Sequence, residues 1–527
     1  MARVFIVSNR VAVPDPKRGV HAGGLEVALR ATLRRHSCVW LGWSGDVKEE
    51  KDCETRVIAR GDMTYIVTDL SEEDYQEYYS GFANQVLWPV LHYRLDLAEF
   101  SRRDLTGYLR VNERFASELD KVLEPDDIVW VHDYHLIPMA KALRERGRNN
   151  KIGFFLHIPL PPPEVLTALP NHDRLIPSLC HYDLVGFQTD GDAANFARYL
   201  SSECGMPAHL PHGRGTAGSI GSMRIGTFPV GIETREFHQT ARRSVHTPFV
   251  KRVRDSVPGE IVIGVDRLDY SKGITLRLEA YERFLGANPD WRGRVTYMQI
   301  TPKSRSEIHE YAEMERMVDS AAGHINSTYG DVSWTPMRYT NKAYSRTALA
   351  GLYRMARVGL VTPLRDGMNL VAKEYVAAQN ERDPGVLILS RFAGAAAEFE
   401  AAVLVNPYDP EAVGSAIVRA LSMPLEERIA RHNQLYRALL ANDISDWGDR
   451  FLAALTDGAI EHPDEGKAAK AGDGASPRDV SDLPAASRPR ATAAGRAPRA
   501  GGARPKFPAT SRPARPGASG RPPEDNR

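Results

Sequence analysis

The chain has 527 residues, 42% hydrophobic and 26% charged, with a formal net charge of +1. That length exceeds one compact core and calls for two or three domains, while the near-zero charge gives no global basis for holding specific nucleic acid or a membrane. Cys38, Cys53, Cys180 and Cys204 have neither CxxC nor zinc spacing and read as reduced structural thiols of a cytoplasmic protein, and no run approaches the ~20 apolar residues that cross a bilayer.

The first apolar run, Val4–Val7, is too short for a secretion signal and reads as a buried strand. Similar runs follow at Ile128–Val131, Ile152–Leu156 and Leu184–Phe187. A second set comprises Ile261–Val265, Val295–Ile300, Val358–Val361, Val386–Leu389 and Val403–Val405. Near-continuous apolar runs, rather than alternation, mark strands covered on both faces, as in a parallel sheet. Helical patterns lie between them, as at Arg110–Val122, Ile274–Leu285 and Pro410–Leu421. The expected class is therefore α/β, with two doubly wound, Rossmann-like domains facing a cleft. The mostly polar stretch Glu236–Thr247 suggests a boundary, giving domains 1–240 and 241–445. Residues 446–462 are expected to form a C-terminal helix packed back on the first domain. Residues 463–527 are rich in Pro, Ala and Arg and almost free of aliphatic and aromatic side chains. Such a segment cannot offset its ordering entropy and reads as a disordered, solvated tail.

In open α/β sheets ligands sit at the carboxyl ends of strands, and the residues with chemistry fall there. After the first strand come Ser8-Asn-Arg10 and then Ala22-Gly-Gly-Leu25. Gly23 and Gly24 permit close backbone approach of a phosphate, and Arg10 suits a phosphate dianion. Trp40, Trp43, Tyr79 and Trp88 are numerous enough to line a sugar pocket. In Val131-His-Asp-Tyr-His135 and Phe155-Leu-His157, the histidines His132 and His135 read as structural rather than metal-binding. Asp133 and His157 read as ligands for sugar hydroxyls. Thr189-Asp-Gly-Asp192 looks like a metal-nucleotide DxD motif, but the capping of a helix start explains it better.

The second half carries Val265-Asp-Arg-Leu-Asp-Tyr-Ser-Lys-Gly273, where Arg267 and Lys272 can direct two cations at one departing diphosphate without a metal. Thr362-Pro-Leu-Arg-Asp-Gly-Met-Asn-Leu-Val-Ala-Lys-Glu374 follows a strand and opens a helix. Gly367 and the N–H groups of the next turn form a diphosphate cradle. Asp366 and Glu374 lie eight positions apart, roughly 12 Å on a helix. That is too far for a glycosidase carboxylate pair but suits a ligand with a sugar at one end and a ribose at the other.

Together these blocks, with Leu41-Gly-Trp-Ser-Gly45, Glu77-Tyr-Tyr79, Leu87-Trp-Pro89, His92-Tyr-Arg-Leu-Asp96 and Leu364–Tyr375, resemble the trehalose-6-phosphate synthase family. These are retaining glycosyltransferases of the two-domain GT-B fold, and the resemblance runs from residue 1 to about 460. It implies transfer of glucose from a nucleoside diphosphate glucose, UDP-glucose foremost, to glucose 6-phosphate, giving α,α-trehalose 6-phosphate. A related enzyme with another phosphorylated acceptor, glycerol 3-phosphate or a cyclitol phosphate, is the alternative. The resemblance assigns Arg10, Tyr79, Trp88, Asp133 and Arg305 to the acceptor. It assigns Gly23, Gly24, His157, Arg267, Lys272, Asp366, Gly367, Met368, Asn369, Leu370, Val371 and Glu374 to the donor. Arg267, Lys272, Asp133, His157 and Asp366 are the expected catalytic set. Asp266 stands where the family has Glu, and the arginine-rich tail is outside the family pattern. No metal or other cofactor is expected, small molecules are the expected partners, and a homo-oligomer (dimer or tetramer) is the expected assembly.

Overall fold

The computed structural model describes residues 3–11, 13, 38–61, 63–207, 218–220, 222–303 and 309–456. The predicted tail, and the site candidates Gly23, Gly24 and Arg305, lie outside them. Two sheets organise the described chain. The first contains β1 (Val4–Arg10), β2 (Cys38–Lys48), β3 (Thr55–Arg60), β4 (Met63–Ser71), β5 (Ile128–His132), β6 (Lys151–Phe155), β7 (Leu184–Phe187), β8 (Gly218–Ile220) and β9 (Met223–Thr227). The second contains β10 (Glu260–Val265), β11 (Val295–Ile300), β12 (Met337–Thr340), β13 (Val358–Val361), β14 (Val386–Ser390) and β15 (Val403–Val405).

The second sheet is parallel throughout, in the order β12-β11-β10-β13-β14-β15. The first has a parallel centre, β4-β2-β1-β5-β6-β7-β9, closed at its edges by antiparallel β3 and β8. In each sheet the strand order turns back beside its first strand, between β1 and β5 and between β10 and β13. Those are the switch points where doubly wound sheets take ligands. The central strands are buried along nearly their whole length, as in β10 and β13. Edge strand β3 instead exposes Val57, with Arg56 and Arg60 on the same strand, the charged treatment that blunts an open edge.

One local reading departs from the structure. Helix α1 spans Arg102–Asp120, starting a full two turns before the predicted Arg110. Its start is fixed by Ser101, whose hydroxyl accepts the N–H of Asp104 at 3.3 Å, a cap that outweighs the polar first turns. The polar stretch read as a boundary is largely helix α3 (Thr234–Ser244), after α2 (Asp190–Cys204). Only Thr234, Phe237, Ala241 and Ser244 of α3 are buried. A single stripe at three- and four-residue spacing suffices to seat a helix whose other faces are charged.

A continuous apolar cluster joins residues of both sheets through Phe228, Val230, Ile232 and Phe237. Helix α4 (Ile274–Ala287) and helix α5 (Leu370–Ala378) follow β10 and β13. The last described helix, α6 (Ile444–Thr456), returns to lie on β6 and β7 of the first sheet. Its Phe451 stacks on Trp130 at 4.6 Å between ring centroids. Gly153 and Gly186 make room for that ring, since a Cβ on either would come within 2.8 Å of it. Removing the ring leaves a cavity over the centre of the sheet. Phe451→Ala is expected to lower stability by about 3–5 kcal/mol, read as a shift in the urea midpoint at unchanged slope.

Candidate active site

The loop after β10 and the loop after β13 meet at the switch point of the second sheet. Leu364 N–H donates to the Ser271 carbonyl at 2.7 Å. Lys272 Nζ lies 2.6 Å from Asp366 Oδ2, with both side chains largely buried. Asn369 Nδ2 donates to the same oxygen at 3.0 Å. Asn369 has φ of 77°, a left-handed turn that Asn tolerates, and its Oδ1 caps Ala372 N–H at 3.0 Å. This cap starts α5, so the N–H groups at Leu370 and Val371 have no intrahelical acceptor and carry the helix's positive end. Arg267 is exposed and makes no ion pair among the described residues.

Beneath this lattice lies Arg277 on α4, fully buried. Its guanidinium is paired with Asp266 and donates to Thr362 Oγ1 at 2.8 Å and to the Lys272 carbonyl at 3.1 Å. One planar cation thus grips the start of the first loop, its end, and the start of the second. Burial raises the Asp266 carboxyl, and the facing Arg277 opposes that rise. Sequence reasoning missed Arg277. Its signal was position: it shares the apolar face of Ile274, Leu278 and Tyr281, where a cation has to be paired.

The first half supplies the facing wall. Gly367 packs so closely on the loop after β6 that a Cβ there would sit 2.1 Å from the His157 carbonyl oxygen. His157 N–H donates to Asp133 Oδ1 at 3.2 Å, and the His157 Nε2 and His132 Nδ1 atoms are 3.1 Å apart. Burial holds the His157 imidazole far below its ordinary value, at about 3. Asp133 has φ of 75°, a conformation costing about 1–3 kcal/mol for a residue with a Cβ. Nearby, Trp88 is buried against His92, with centroids 4.1 Å apart. His92 lies within the electrostatic reach of Asp269, Lys272 and Asp366, but burial dominates and lowers it to about 4.

The remaining acceptor candidates belong to a train of rings that reaches Trp88 through Tyr134 and His135. Arg10 stands 5.6 Å from the Trp43 ring centre, Trp43 meets Tyr79 at 5.5 Å, and Tyr79 stacks on His135 at 6.0 Å. Tyr79 belongs to a π-helical segment, Tyr75–Leu87, whose wide turn stacks Tyr75 on Tyr79 at 5.4 Å. Such segments are rare and concentrate at functional sites.

Other candidates are placed elsewhere. Glu374 is partly buried on α5, where burial pushes its carboxyl up to about 7 against the pull of Arg346. Its neighbour Lys373 points the other way, to the Val230 carbonyl at 2.8 Å and to Glu398 at 2.5 Å. Thr189 caps α2 through the Asp192 N–H at 3.2 Å, and Asp192 accepts from Thr189 Oγ1 and from Leu160 N–H at 2.6 and 2.9 Å. Both oxygens of Asp192 are therefore engaged in holding loops. Among the described residues no group of three His, Cys, Asp or Glu side chains gathers as a metal site. A crevice of about 510 Å³ borders Asp366 and takes its walls from both halves, among them Tyr93, Arg365 and Phe392. The Arg365 guanidinium lies between those two rings, 4.1 Å from Tyr93 and 4.8 Å from Phe392.

Arg277→Met is expected to strand the buried Asp266 charge and to cost about 3–5 kcal/mol. Adding Asp266→Leu should recover much of that loss. A double-mutant cycle by chemical denaturation reads the coupling.

Known proteins with this sequence and fold point one way. The sequence profile of glycosyltransferase family 20 matches residues 7–457. A trehalose-6-phosphate synthase of Sinorhizobium fredii is 54% identical over 460 residues, covering 86% of this chain and 98% of the relative. The crystal structure of a UDP-forming α,α-trehalose-phosphate synthase from Burkholderia xenovorans, in complex with glucose-6-phosphate, superposes with a TM-score of 0.83 at 43% identity, covering 86% of this chain and 100% of that one. The E. coli protein bound with UDP-2-fluoro glucose gives 0.80 at 43% identity, covering 86% and 99%.

Proposed function

The chain belongs to glycosyltransferase family 20, and we infer that it is a retaining glucosyltransferase of the GT-B fold. It transfers glucose from UDP-glucose to glucose 6-phosphate and forms α,α-trehalose 6-phosphate. The observation that carries the chemistry is the meeting of Lys272, Asp366 and the start of α5 at one switch point, against the His157 backbone of the other sheet. A departing diphosphate needs positive charge fixed in advance. Lys272 has three N–H donors, of which Asp366 engages one. Arg267, Lys272 and the N–H groups near Met368–Val371 are proposed to receive the leaving diphosphate, with Gly367 keeping the backbone close.

In this reading the anomeric hydroxyl of glucose 6-phosphate attacks the donor's anomeric carbon on the face from which the diphosphate leaves. The new C–O bond forms as the old one breaks, and the leaving phosphate oxygen takes the acceptor's proton. Asp366 and His157 hold the transferred glucose, Glu374 the ribose, and Asn369 and Leu370 line the donor's path. Arg10, Tyr79, Trp88 and Asp133 hold the acceptor together with Arg305, which is assigned on resemblance alone, and Gly23 and Gly24 are assigned to the donor. The fixed cations fit a reaction that requires no metal. Four cysteines without disulfide partners fit a cytoplasmic setting.

The direct test is nucleoside diphosphate release from UDP-, GDP- and ADP-glucose, each with and without glucose 6-phosphate. UDP release that requires the acceptor is expected, and its absence with every donor overturns the function. Lys272→Ala and Arg267→Ala should each lower turnover by about 10²–10³-fold while changing donor affinity far less; wild-type turnover in either removes them from the mechanism.

Glu374 adds a pH signature. A ribose hydroxyl donates a stronger hydrogen bond to the carboxylate than to the acid, so donor binding favours the ionised form and pulls the raised carboxyl back down. Near pH 7 binding should release a proton, and donor affinity should weaken as pH falls below about 7. Calorimetry in two buffers of different ionisation enthalpy measures the release, which Glu374→Gln should abolish.

A further inference from the structure

We propose that His132 is a positioning residue that fixes the tautomer of His157, so that His157 presents its Nδ1–H as a hydrogen-bond donor. The value of this for catalysis rests on the reading above that His157 meets the nucleotide sugar; the tautomer itself does not.

The two imidazoles share one hydrogen bond, between His132 Nδ1 and His157 Nε2 at 3.1 Å. One of these atoms carries the proton and the other accepts it, which leaves two arrangements when both rings are neutral. Both are held neutral, since burial lowers His132 and His157 alike and each would repel a charge on the other. The choice falls to the remaining nitrogen of His132. Nε2 is buried and has no hydrogen-bond partner among the described residues.

Were His132 the acceptor, its proton would sit on that Nε2, as an N–H aimed at nothing. The rings beside it are Trp130 at 4.6 Å and Trp447 at 6.4 Å between centroids. Trp447 spends its own N–H on the Phe228 carbonyl at 3.1 Å. Trp130 Nε1–H is itself buried without a partner among the described residues. Among the described residues the pocket therefore already holds one orphan donor and supplies no acceptor for a second. Orphaned buried N–H groups are the rarer and costlier kind. A bare lone pair on Nε2 beside a donor-only indole avoids the conflict.

The proton of His132 is thus on Nδ1 and is donated to His157 Nε2. His157, accepting there, keeps its own proton on Nδ1. That nitrogen belongs to a partly exposed side chain, whose backbone lies against Gly367 of the donor loop. The site consequently offers a neutral N–H to a ligand oxygen, a sugar hydroxyl or a diphosphate oxygen, and not a second lone pair. Helix α6 takes part at a distance, since its Trp447 lies beside both imidazoles, 6.4 Å from His132 and 6.0 Å from His157 between ring centroids.

The test is 15N NMR on the full chain with 15N-labelled histidine, with His132→Gln and His157→Gln used to assign the signals. Nδ1 protonated and Nε2 unprotonated in both rings is the expected pattern. A His157 carrying its proton on Nε2 overturns the proposal without touching the assigned activity. Adding UDP-glucose should shift the His157 Nδ1–H resonance. No shift leaves the tautomer intact and removes His157 from the donor's ligands. Kinetics give a second readout. Asn places an N–H where His132 has Nδ1–H, so His132→Asn should keep kcat/KM for UDP-glucose within about threefold. His132→Leu should lower it at least tenfold, with the KM for glucose 6-phosphate unmoved. Equal values in the two variants refute the positioning role.

Discussion

The site rests on a guanidinium that no ligand touches. Arg277 is sealed under the second sheet's switch point, where it pairs with Asp266 and reaches Thr362 and the Lys272 carbonyl. Every group proposed to meet the leaving diphosphate sits on one of the two loops it ties. A buried cation is expensive unless it is paired and hydrogen-bonded, and here three of its bonds go to backbone and side chains that define loop geometry. The constraint works in both directions. The loops give Arg277 its acceptors, and Arg277 fixes how far apart Lys272 and Asp366 can stand. Their 2.6 Å contact is then a consequence of the frame beneath it. The Asp266 carboxylate is buried and faces Arg277.

The second constraint is how closely the two halves approach. Gly367 and the His157 carbonyl meet backbone to backbone, a contact no larger residue permits at position 367. Around it the halves share rings and cations: Arg365 lies between Tyr93 and Phe392, and Arg94 stands 5.4 Å from the Tyr270 ring centre. His92 feels the charges of Asp269, Lys272 and Asp366 across the same divide. Such proximity desolvates both walls. It explains why His92 and His157 are neutral. A dry, dipolar wall strengthens each fixed charge that a transition state meets.

Strain is concentrated where these walls join. Asp133 and Asn369 both have positive φ, as do Tyr93 and Asn171. The first two are held by specific bonds: Asp133 by Phe155 and Leu136 along the backbone, Asn369 by its cap on Ala372. Residues kept in sparse conformations persist when their surroundings over-determine them. At these positions that over-determination comes from the two switch-point loops.

Much of this was legible in the chain. Val4–Val7, Val358–Val361 and their counterparts read as buried parallel strands because a strand covered on both faces has no polar alternation to hide. Arg267, Lys272, Asp366 and Glu374 could be singled out because doubly wound sheets deliver ligands to strand ends, so charged residues there have a reason to be present. The start of α1 was misread because one serine cap decides it. Local sequence determined the elements and the chemical types at their ends. Only the tertiary structure decided the partnerships: Lys272 with Asp366, Arg277 with Thr362, Gly367 with His157, His132 with His157. Those pairs are distant in sequence and are set by which strands lie side by side. A residue's own neighbours in the chain carry no record of that order, whereas the folded sheets enforce it through hydrogen-bonded register and burial.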